Sequence, residues 1–482
     1  MKIKKIYPNQ IINVNHKITH ITDNSKNIIQ GSIFVAIKGY NQNGEDYIEE
    51  AIYKGAITII VQKDFKEQNI NSKFLPKINI IKVLDPKKEL ALLLKQLYHQ
   101  KIKKFKFIGV TGTNGKTTTC TLLYRYLRLC NFNTICFTSN GNYINDSFES
   151  TKNTTPNITI IYDTIIKSQL KKGIVILEVS SQAISELRIC GFEFDIVGIT
   201  NITTDHLDYH KNISDYFYTK ARLLYQLKEE GILLINHNSP YFLKLQSMVN
   251  NPVYSYGEDK NSDFKWEIVE SKVDKTLFLI SENDNINPLE TTLIGQFNIQ
   301  NITLVFAILK TLNINTSEFA TFIKNIKPIM GRMNIYDLAN RIIIIDYAHT
   351  IDAVKSSLQA INNFKQRKIK LVIGCGGNRD RLKRPVIGQL ACLYADFVYF
   401  TEDNSRNENR IKILKEITCD LTTNNYMIIE SRKEAIKKAV IDSKPQDIIV
   451  LMGMGCEKTI VDGKEYTDLE MIKKSFKEFK GE

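Results

Sequence analysis

The stretch from Phe105 to Thr119, FKFIGVTGTNGKTTT, constrains this chain more than any other. An apolar run, Phe105 to Val110, breaks into Thr111-Gly112-Thr113-Asn114-Gly115-Lys116-Thr117, and a helix-compatible segment follows from Thr118 to Leu129. A strand, a glycine turn and a helix start, in that order, form a phosphate cradle. Backbone N–H groups point into the turn, and the helix N-terminus carries partial positive charge. Lys116 would reach the outer phosphates of a nucleotide, and the Thr117 hydroxyl would hold a magnesium ion. The usual loop of this kind has four residues between its first glycine and the Gly-Lys pair. Here only Thr113 and Asn114 separate Gly112 from Gly115, and Val110 fills the outer glycine's place. A chance lysine beside a turn would not bring both the strand and the helix, so a nucleoside triphosphate site is expected.

At 482 residues the chain is too long for one ordinary domain. Breaks at Asp85-Pro86 and around Lys327-Pro328 to Arg332 divide it into 1–88, 89–330 and 331–482. The formal charge is +13, but lysine is spread through every segment rather than gathered in a stripe with aromatics. That distribution argues against a nucleic-acid binder and leaves room for steering of anionic substrates. The longest apolar runs, such as Arg341 to Asp346, are strand length, so no membrane insertion is expected. The basic N-terminus lacks the apolar stretch of a signal peptide. The eight cysteines (120, 130, 136, 190, 375, 392, 419 and 456) form no C-x-x-C pair, which suits a reducing cytoplasm.

The first segment alternates short strands (Ile33–Ile37, Ala56–Val61) with a helical stretch, Tyr47–Tyr53. A helix over Lys87–His99 follows, with Leu90, Leu93, Leu94 and Leu97 on one face. Strands are expected at Asn133–Thr138, Gly173–Val179, Phe194–Thr200, Gly231–Asn236 and Thr276–Ser281, then at 342–346, 370–374, 397–401, 426–429 and 448–452. Their alternation with helices predicts an α/β fold.

Three constellations carry chemistry. Glu178 ends the buried run Gly173 to Val179, and in open α/β sheets ligands gather at that end of a strand. A carboxylate there can hold the metal that bridges nucleotide phosphates. Thr200 to His210 places Asp205, His206, Asp208 and His210 just after another strand, a density that favours function over packing. Lys220 taken alone reads as a solvated helix lysine.

Together these motifs resemble the Mur ligase family, the ATP-dependent amide ligases that build the peptide of bacterial peptidoglycan. The likeness covers nearly the whole chain: Gly112 to Thr118, Asn153 to Pro156, Glu178 to Ser181, Thr200 to His210 with Lys220, Gly295 to Asn301, Gly331 to Met333, Asp346 to Thr350 and Gly374 to Pro385. It implies three α/β domains: an N-terminal uridine-nucleotide domain, a central P-loop ATPase-like domain with a parallel sheet, and a C-terminal Rossmann-like domain.

It also implies residue roles. Gly112, Thr113, Asn114, Gly115, Lys116, Thr117 and Thr118 would cradle ATP, with Asn298, Arg332 and Asp346 holding adenosine and phosphates. Thr117 and Glu178 would bind one magnesium ion, and Glu178 and His206 a second. Lys220 resembles the family's carbamylated lysine, whose carbon dioxide adduct is an anion suited to a metal site. Lys116, Glu178, His206 and Lys220 would carry catalysis. Ser25 and Tyr40-Asn41-Gln42 would face the uridine diphosphate. Asn153, Thr154, Thr155, Ser180, Glu186 and Arg188 would lie along the muramoyl peptide.

In the third segment, Asp403-Asn404-Ser405-Arg406 resembles the motif of members that add meso-diaminopimelate. An arginine there suits bidentate pairing with the carboxylate that lysine lacks. Arg379 would be its partner, and Gly453 and Glu457 further contacts. The sequence departs from the family at Ser405 (usually proline), Met454 and Cys456 (lysine and histidine), Gln182 (histidine), Glu186 (glutamine) and Lys26 (arginine). The implied reaction joins UDP-N-acetylmuramoyl-L-alanyl-D-glutamate to meso-2,6-diaminopimelate in a monomeric enzyme. Ligation of L-lysine, a folate polyglutamate ligase and a nucleotide-binding protein without turnover are the alternatives.

Overall fold

The computed structural model describes residues 1–39, 42–151, 153–272, 275–363, 367–461 and 463–480, the side chains of 461 and 480 excepted. The chain divides into two units, residues 1–108 with 131–195, and 109–130 with 196–482.

In the first unit, Ile21–Thr22, Ser32–Val35, Ala56–Gln62 and Asn79–Val83 form a parallel sheet in that order. Phe34, Ile59, Val61, Ile48 and Ala51 fill its core. The helix after Asp85 runs Pro86–Ile102, longer than expected at both ends. The Asp85 carboxylate accepts from the N–H groups of Lys87 and Lys88, and Pro86 takes a position that needs no N–H. Leu90, Leu93 and Leu94 are buried as the spacing predicts, and Leu97 is half-buried. The same unit pairs Gly173–Val179 in parallel with Thr134–Thr138, which continues into an antiparallel ribbon, Gly141–Ile144 and Ser147–Glu149.

In the second unit, Leu227–Asn236, Val253–Gly257 and Phe264–Ser271 run parallel. Thr276–Glu282 and Asn285–Thr291 then turn back as an antiparallel meander. Helices Lys116–Leu129 and Gln296–Thr311 pack together. The last 150 or so residues build a six-stranded sheet in the order Asn334–Leu338, Arg341–Asp346, Ile448–Met452, Ile369–Ile373, Phe397–Phe400, Tyr426–Ile428. Only the first pairing is antiparallel. Separate apolar cores cover its two faces, as in a doubly wound fold. Because five strands are parallel, the segments after Asp346, Ile373, Phe400 and Met452 all leave from one edge.

One buried pair fixes the outer layer of this sheet. Arg432 and Asp468, 0% and 1% exposed, meet at 2.6 and 2.8 Å. Arg432→Ala would leave a buried carboxylate without its cation and is expected to cost about 3–5 kcal/mol of folding stability in urea denaturation. A loss below about 1 kcal/mol would contradict this.

Among the described residues no helix is long and apolar enough to cross a membrane.

Candidate active site

Two glycines shape the cradle. Gly112 has φ +146° and Gly115 φ +86°. A Cβ on Gly112 would collide with the Thr200 hydroxyl and stand 2.9 Å from the Asn201 carbonyl oxygen, and one on Gly115 would strike the Asn301 carboxamide. The turn is tied to the 200–203 segment. Thr113 N–H donates to the Asn201 carbonyl (2.8 Å), Asn114 N–H to Asn201 Oδ1 (2.9 Å), and Thr200 Oγ1 to the Asn114 carbonyl (2.6 Å). The helix begins at Lys116 rather than at Thr118 as expected, because Gly115 in its left-handed conformation already serves as the cap. Lys116 and Thr117 therefore occupy first-turn positions, whose N–H groups have no acceptor within the helix.

Lys116 Nζ folds over the loop onto the carbonyls of Gly112 (3.0 Å) and Thr113 (2.8 Å). Lys220 is not a solvated helix lysine. It is 1% exposed, its Nζ donates to the same Gly112 carbonyl at 2.7 Å, and it lies 4.6 Å from the centre of the Tyr216 ring. Two ammonium groups that share one acceptor oppose each other electrostatically. Conversion of one amine to an anion would remove that repulsion.

The Thr200–His210 segment folds against this pair. His206 adopts φ +54°. Burial, with Lys220, His349 and Lys116 adding to it, pushes its imidazole down to about 4 despite Asp205 at 3.3 Å, so the ring is neutral near pH 7. Burial alone would raise the Asp205 carboxyl, but the charges of His206, His349 and Lys383 hold it at about 2. His206 Nδ1 is buried without a hydrogen-bond partner. A neutral ring with an orphaned buried nitrogen fits a metal ligand. Among the described residues no cluster of three or more His, Cys, Asp or Glu side chains stands ready for a metal.

Beside the cradle lies a cavity of about 240 Å³, lined by Asn114, Gly115, Thr118, Asn298, Arg332 and Asp346 among others. All three residues expected at the adenosine and phosphates thus line one cavity with the cradle. Asn298 Nδ2 donates to the Ile294 carbonyl (2.8 Å). Arg332 stacks on Tyr347, 4.7 Å from the ring centre, and gives Nη2 to Thr117 Oγ1 at 2.9 Å. Asp346 accepts from Ser357 Oγ (2.6 Å) and from the N–H groups of Met333 and Tyr347, and burial raises its carboxyl. Sequence reasoning gave no role to Phe297, Tyr347, His349, Asn201 or Thr350, although all lie inside motifs already singled out. The first three and Asn201 line the cavity, and Thr350 Oγ1 accepts from Asn114 Nδ2 at 3.2 Å.

The first unit carries the other expected contacts. Glu178 is buried, with Ser139 N–H (2.8 Å) and Ser139 Oγ (3.1 Å) donating to its two oxygens. Ser139 Oγ also lies 3.0 Å from Thr154 Oγ1. Thr155 Oγ1 donates to the Glu178 carbonyl (2.7 Å) and accepts from Ser180 N–H (3.1 Å). Arg188 forks onto Glu186 at 2.9 and 2.7 Å and gives Nη1 to the Thr155 carbonyl (2.9 Å). Asn153 and Gln42 are exposed. Ser25 Oγ donates to Glu50 (2.8 Å). Tyr40 and Asn41 lie outside the described residues.

At the C-terminal edge of the six-stranded sheet the remaining residues converge. Arg379 pairs with Asp208 at 3.2 Å. Glu457 accepts from the Tyr347 hydroxyl (2.7 Å), and Gly453 (φ +105°) leaves space that a Cβ would take 2.6 Å from Asp403 Oδ2. Arg406 donates to the Gly377 carbonyl (2.6 Å), which passes beside Ser405. Glu402 is taken by Arg410, and Glu408 by Arg384 and Arg381. Among the described residues no carboxylate pairs with Arg406.

Three protein-family models match along the chain. The "Mur ligase family, catalytic domain" matches residues 17–98, the "Mur ligase middle domain" 110–309, and the "Mur ligase, glutamate ligase domain" 331–455. The chain belongs to the Mur ligase family. It is 34% identical over 471 residues to the UDP-N-acetylmuramoyl-L-alanyl-D-glutamate–2,6-diaminopimelate ligase of Buchnera aphidicola subsp. Schizaphis graminum, covering 95% of this chain and 94% of that one. It is 31% identical over 467 residues to the protein of the same name from Geobacillus thermodenitrificans, again 95% and 94%. A solved structure of a ligase of that name superposes with a TM-score of 0.69 at 24% identity over 100% of this chain and 99% of the other, and so shares the fold.

Proposed function

We propose that this chain is an ATP-dependent ligase that joins meso-2,6-diaminopimelate to UDP-N-acetylmuramoyl-L-alanyl-D-glutamate in peptidoglycan precursor synthesis. The observation that carries this reading is the likeness, along almost the whole chain, to ligases of that name. A carboxylate is too poor an electrophile to meet an amine directly. The γ-phosphoryl of ATP passes to the side-chain carboxylate of D-glutamate, releasing ADP and leaving an acyl phosphate. The amine of diaminopimelate attacks the acyl carbon, the C–O bond to phosphate breaks, and the amine loses a proton. Lys116 neutralises charge that spreads over the transferred phosphoryl oxygens.

Magnesium, when bound, screens the phosphate charges and polarises the phosphoryl group. Thr117 and Glu178 would hold one ion, and Glu178 and His206 the second. The neutral His206 ring and the carboxylate of Glu178, oriented by Ser139, support these roles. The shared Gly112 acceptor supports a carbamate on Lys220. The muramoyl peptide would meet Asn153, Thr154, Thr155, Ser180, Glu186 and Arg188, and its uridine diphosphate Ser25 and the 40–42 loop. Segments 1–88, 89–330 and 331–482 would serve as substrate, ATP and amino-acid domains of a monomer. The lack of a C-x-x-C pair among the eight cysteines supports a cytoplasmic setting.

Arg406, which pairs with no carboxylate among the described residues, receives the carboxylate that distinguishes diaminopimelate from lysine. Arg406→Ala is expected to raise KM for diaminopimelate by about tenfold to a hundredfold, the worth of a charge-assisted pair. An unchanged KM in steady-state assays would remove that role. The whole reading is tested by incubating the protein with ATP, the muramoyl dipeptide and a panel of amino acids, following phosphate release and product mass. Diaminopimelate alone should give efficient ligation. Equal use of L-lysine would contradict the amino-acid assignment, and ligation of glutamate to a folate instead would contradict the acceptor.

A further inference from the structure

The arginines placed at the diaminopimelate carboxylate, Arg379 and Arg406, stand on different loops after neighbouring parallel strands, Ile369–Ile373 and Phe397–Phe400. Each loop contains a residue in left-handed conformation that is not glycine: Asn378 (φ +50°) on one and Arg406 itself (φ +50°) on the other. Asparagine adopts such backbone readily in turns, whereas at arginine it persists only where the surroundings over-determine it. The surroundings here are one buried fork. Arg384, 0% exposed, gives Nη1 and Nη2 to the two oxygens of Glu408 at 2.9 and 2.8 Å. Glu408 Oε2 also accepts the N–H of Asn378 (2.9 Å), adjacent to Arg379, while Glu408 itself lies two positions beyond Arg406. Arg384 holds the rest of the first loop through the Gly376 carbonyl (3.3 Å) and is itself backed by Glu416 (2.5 Å). Two further bonds tie the loops to each other: Gly377 N–H to the Asn404 carbonyl (2.9 Å) and Arg406 Nη1 to the Gly377 carbonyl (2.6 Å).

A bidentate guanidinium–carboxylate pair fixes direction as well as distance. Removing it would release both loops from the bonds that hold them, and the two arginines would lose their mutual spacing. Recognition of one extra carboxylate by two guanidinium groups depends on that spacing, because a displacement of about 1 Å in a supporting shell is enough to disable a site. Binding of the ammonium and main carboxylate that lysine shares with diaminopimelate does not depend on it. We propose that the Arg384–Glu408 fork is a positioning element that sets selectivity for a diacid amino acid over lysine. The proposal rests on the reading of Arg379 and Arg406 as carboxylate contacts.

The test compares kcat/KM for meso-diaminopimelate and L-lysine in Glu408→Gln and Arg384→Lys. The first keeps shape and removes charge, and the second keeps charge and removes the fork. Both should lower the diaminopimelate-to-lysine ratio by about tenfold or more, through KM for diaminopimelate, with KM for ATP unmoved. A purely structural role would depress both amino acids and ATP alike and would spare the ratio. Circular dichroism melting checks the fold. Should either variant fail to fold, Arg381→Ala, exposed and 3.2 Å from Glu408, carries the same readout with a smaller shift. An unchanged ratio in a folded variant overturns the fork. Arg406→Ala run in parallel separates the two claims: an unchanged KM for diaminopimelate there overturns the carboxylate reading and the fork with it. A raised KM beside an unchanged ratio in the fork variants overturns the fork alone.

Discussion

Lys220→Ala is expected to lower turnover by about a hundredfold to a thousandfold, the range seen when a preorganised charge is removed from a reacting centre. The side chain is buried against the Gly112 carbonyl that Lys116 also uses. A second ammonium in that position opposes the cation that nucleotide phosphates bring with them, whereas its carbamate would attract it. Formate, a short carboxylate able to occupy the vacated space, should restore part of the activity. The assay is phosphate release with and without formate. Unchanged activity in Lys220→Ala would remove the role, and lost activity without rescue would leave the lysine necessary but refute the carbamate.

Gly112→Ala should weaken nucleotide binding by about a hundredfold. The strained backbone alone costs about 1–3 kcal/mol. The new Cβ must also push away the Thr200 hydroxyl and Asn201 backbone, and these hold the loop through Thr113 and Asn114. Gly463→Ala is the control, since that glycine also has positive φ (+76°) but a Cβ there meets nothing within 4 Å. Equilibrium binding of a non-hydrolysable ATP analogue reads both. Wild-type affinity in Gly112→Ala would mean that phosphates do not approach this turn.

Buried parallel strands were the most legible part of the fold. Gly173–Val179 and Ile448–Met452 run from first to last residue as their apolar runs predict, because a strand covered on both faces shows no alternation to misread. The antiparallel pieces were harder. Gly141–Ile144 with Ser147–Glu149, and Phe264–Ser271 and Asn285–Thr291 around Thr276–Glu282, were not anticipated. They are short or half-exposed, and two of the connecting turns are Asn145-Asp146 and Asn283-Asp284, where asparagine takes positive φ (+48° and +51°). An Asn-Asp pair between short polar runs was the available signal.

In the site, the places of Lys116 and Thr117 in the strand-turn-helix unit were legible in the local motif, whereas a role for Arg332 came only from the family resemblance. The environment of Lys220 was not legible, because its acceptor lies 108 positions away, and neither was the Arg379–Asp208 pair, 171 positions apart. Glu402 and Glu408 both stand near enough to Arg406 in sequence to pair with it. Only the folded arrangement assigns them to Arg410, Arg384 and Arg381.

The most direct test of the central claim uses the muramoyl dipeptide with heavy oxygen in the side-chain carboxylate of its D-glutamate. If that carboxylate is phosphorylated before amide formation, one labelled oxygen leaves with each phosphate released in the presence of ATP and diaminopimelate. Unlabelled phosphate, detected by mass spectrometry alongside continued ATP consumption, would mean that water rather than the substrate carboxylate takes the phosphoryl group, and the ligase account would fall.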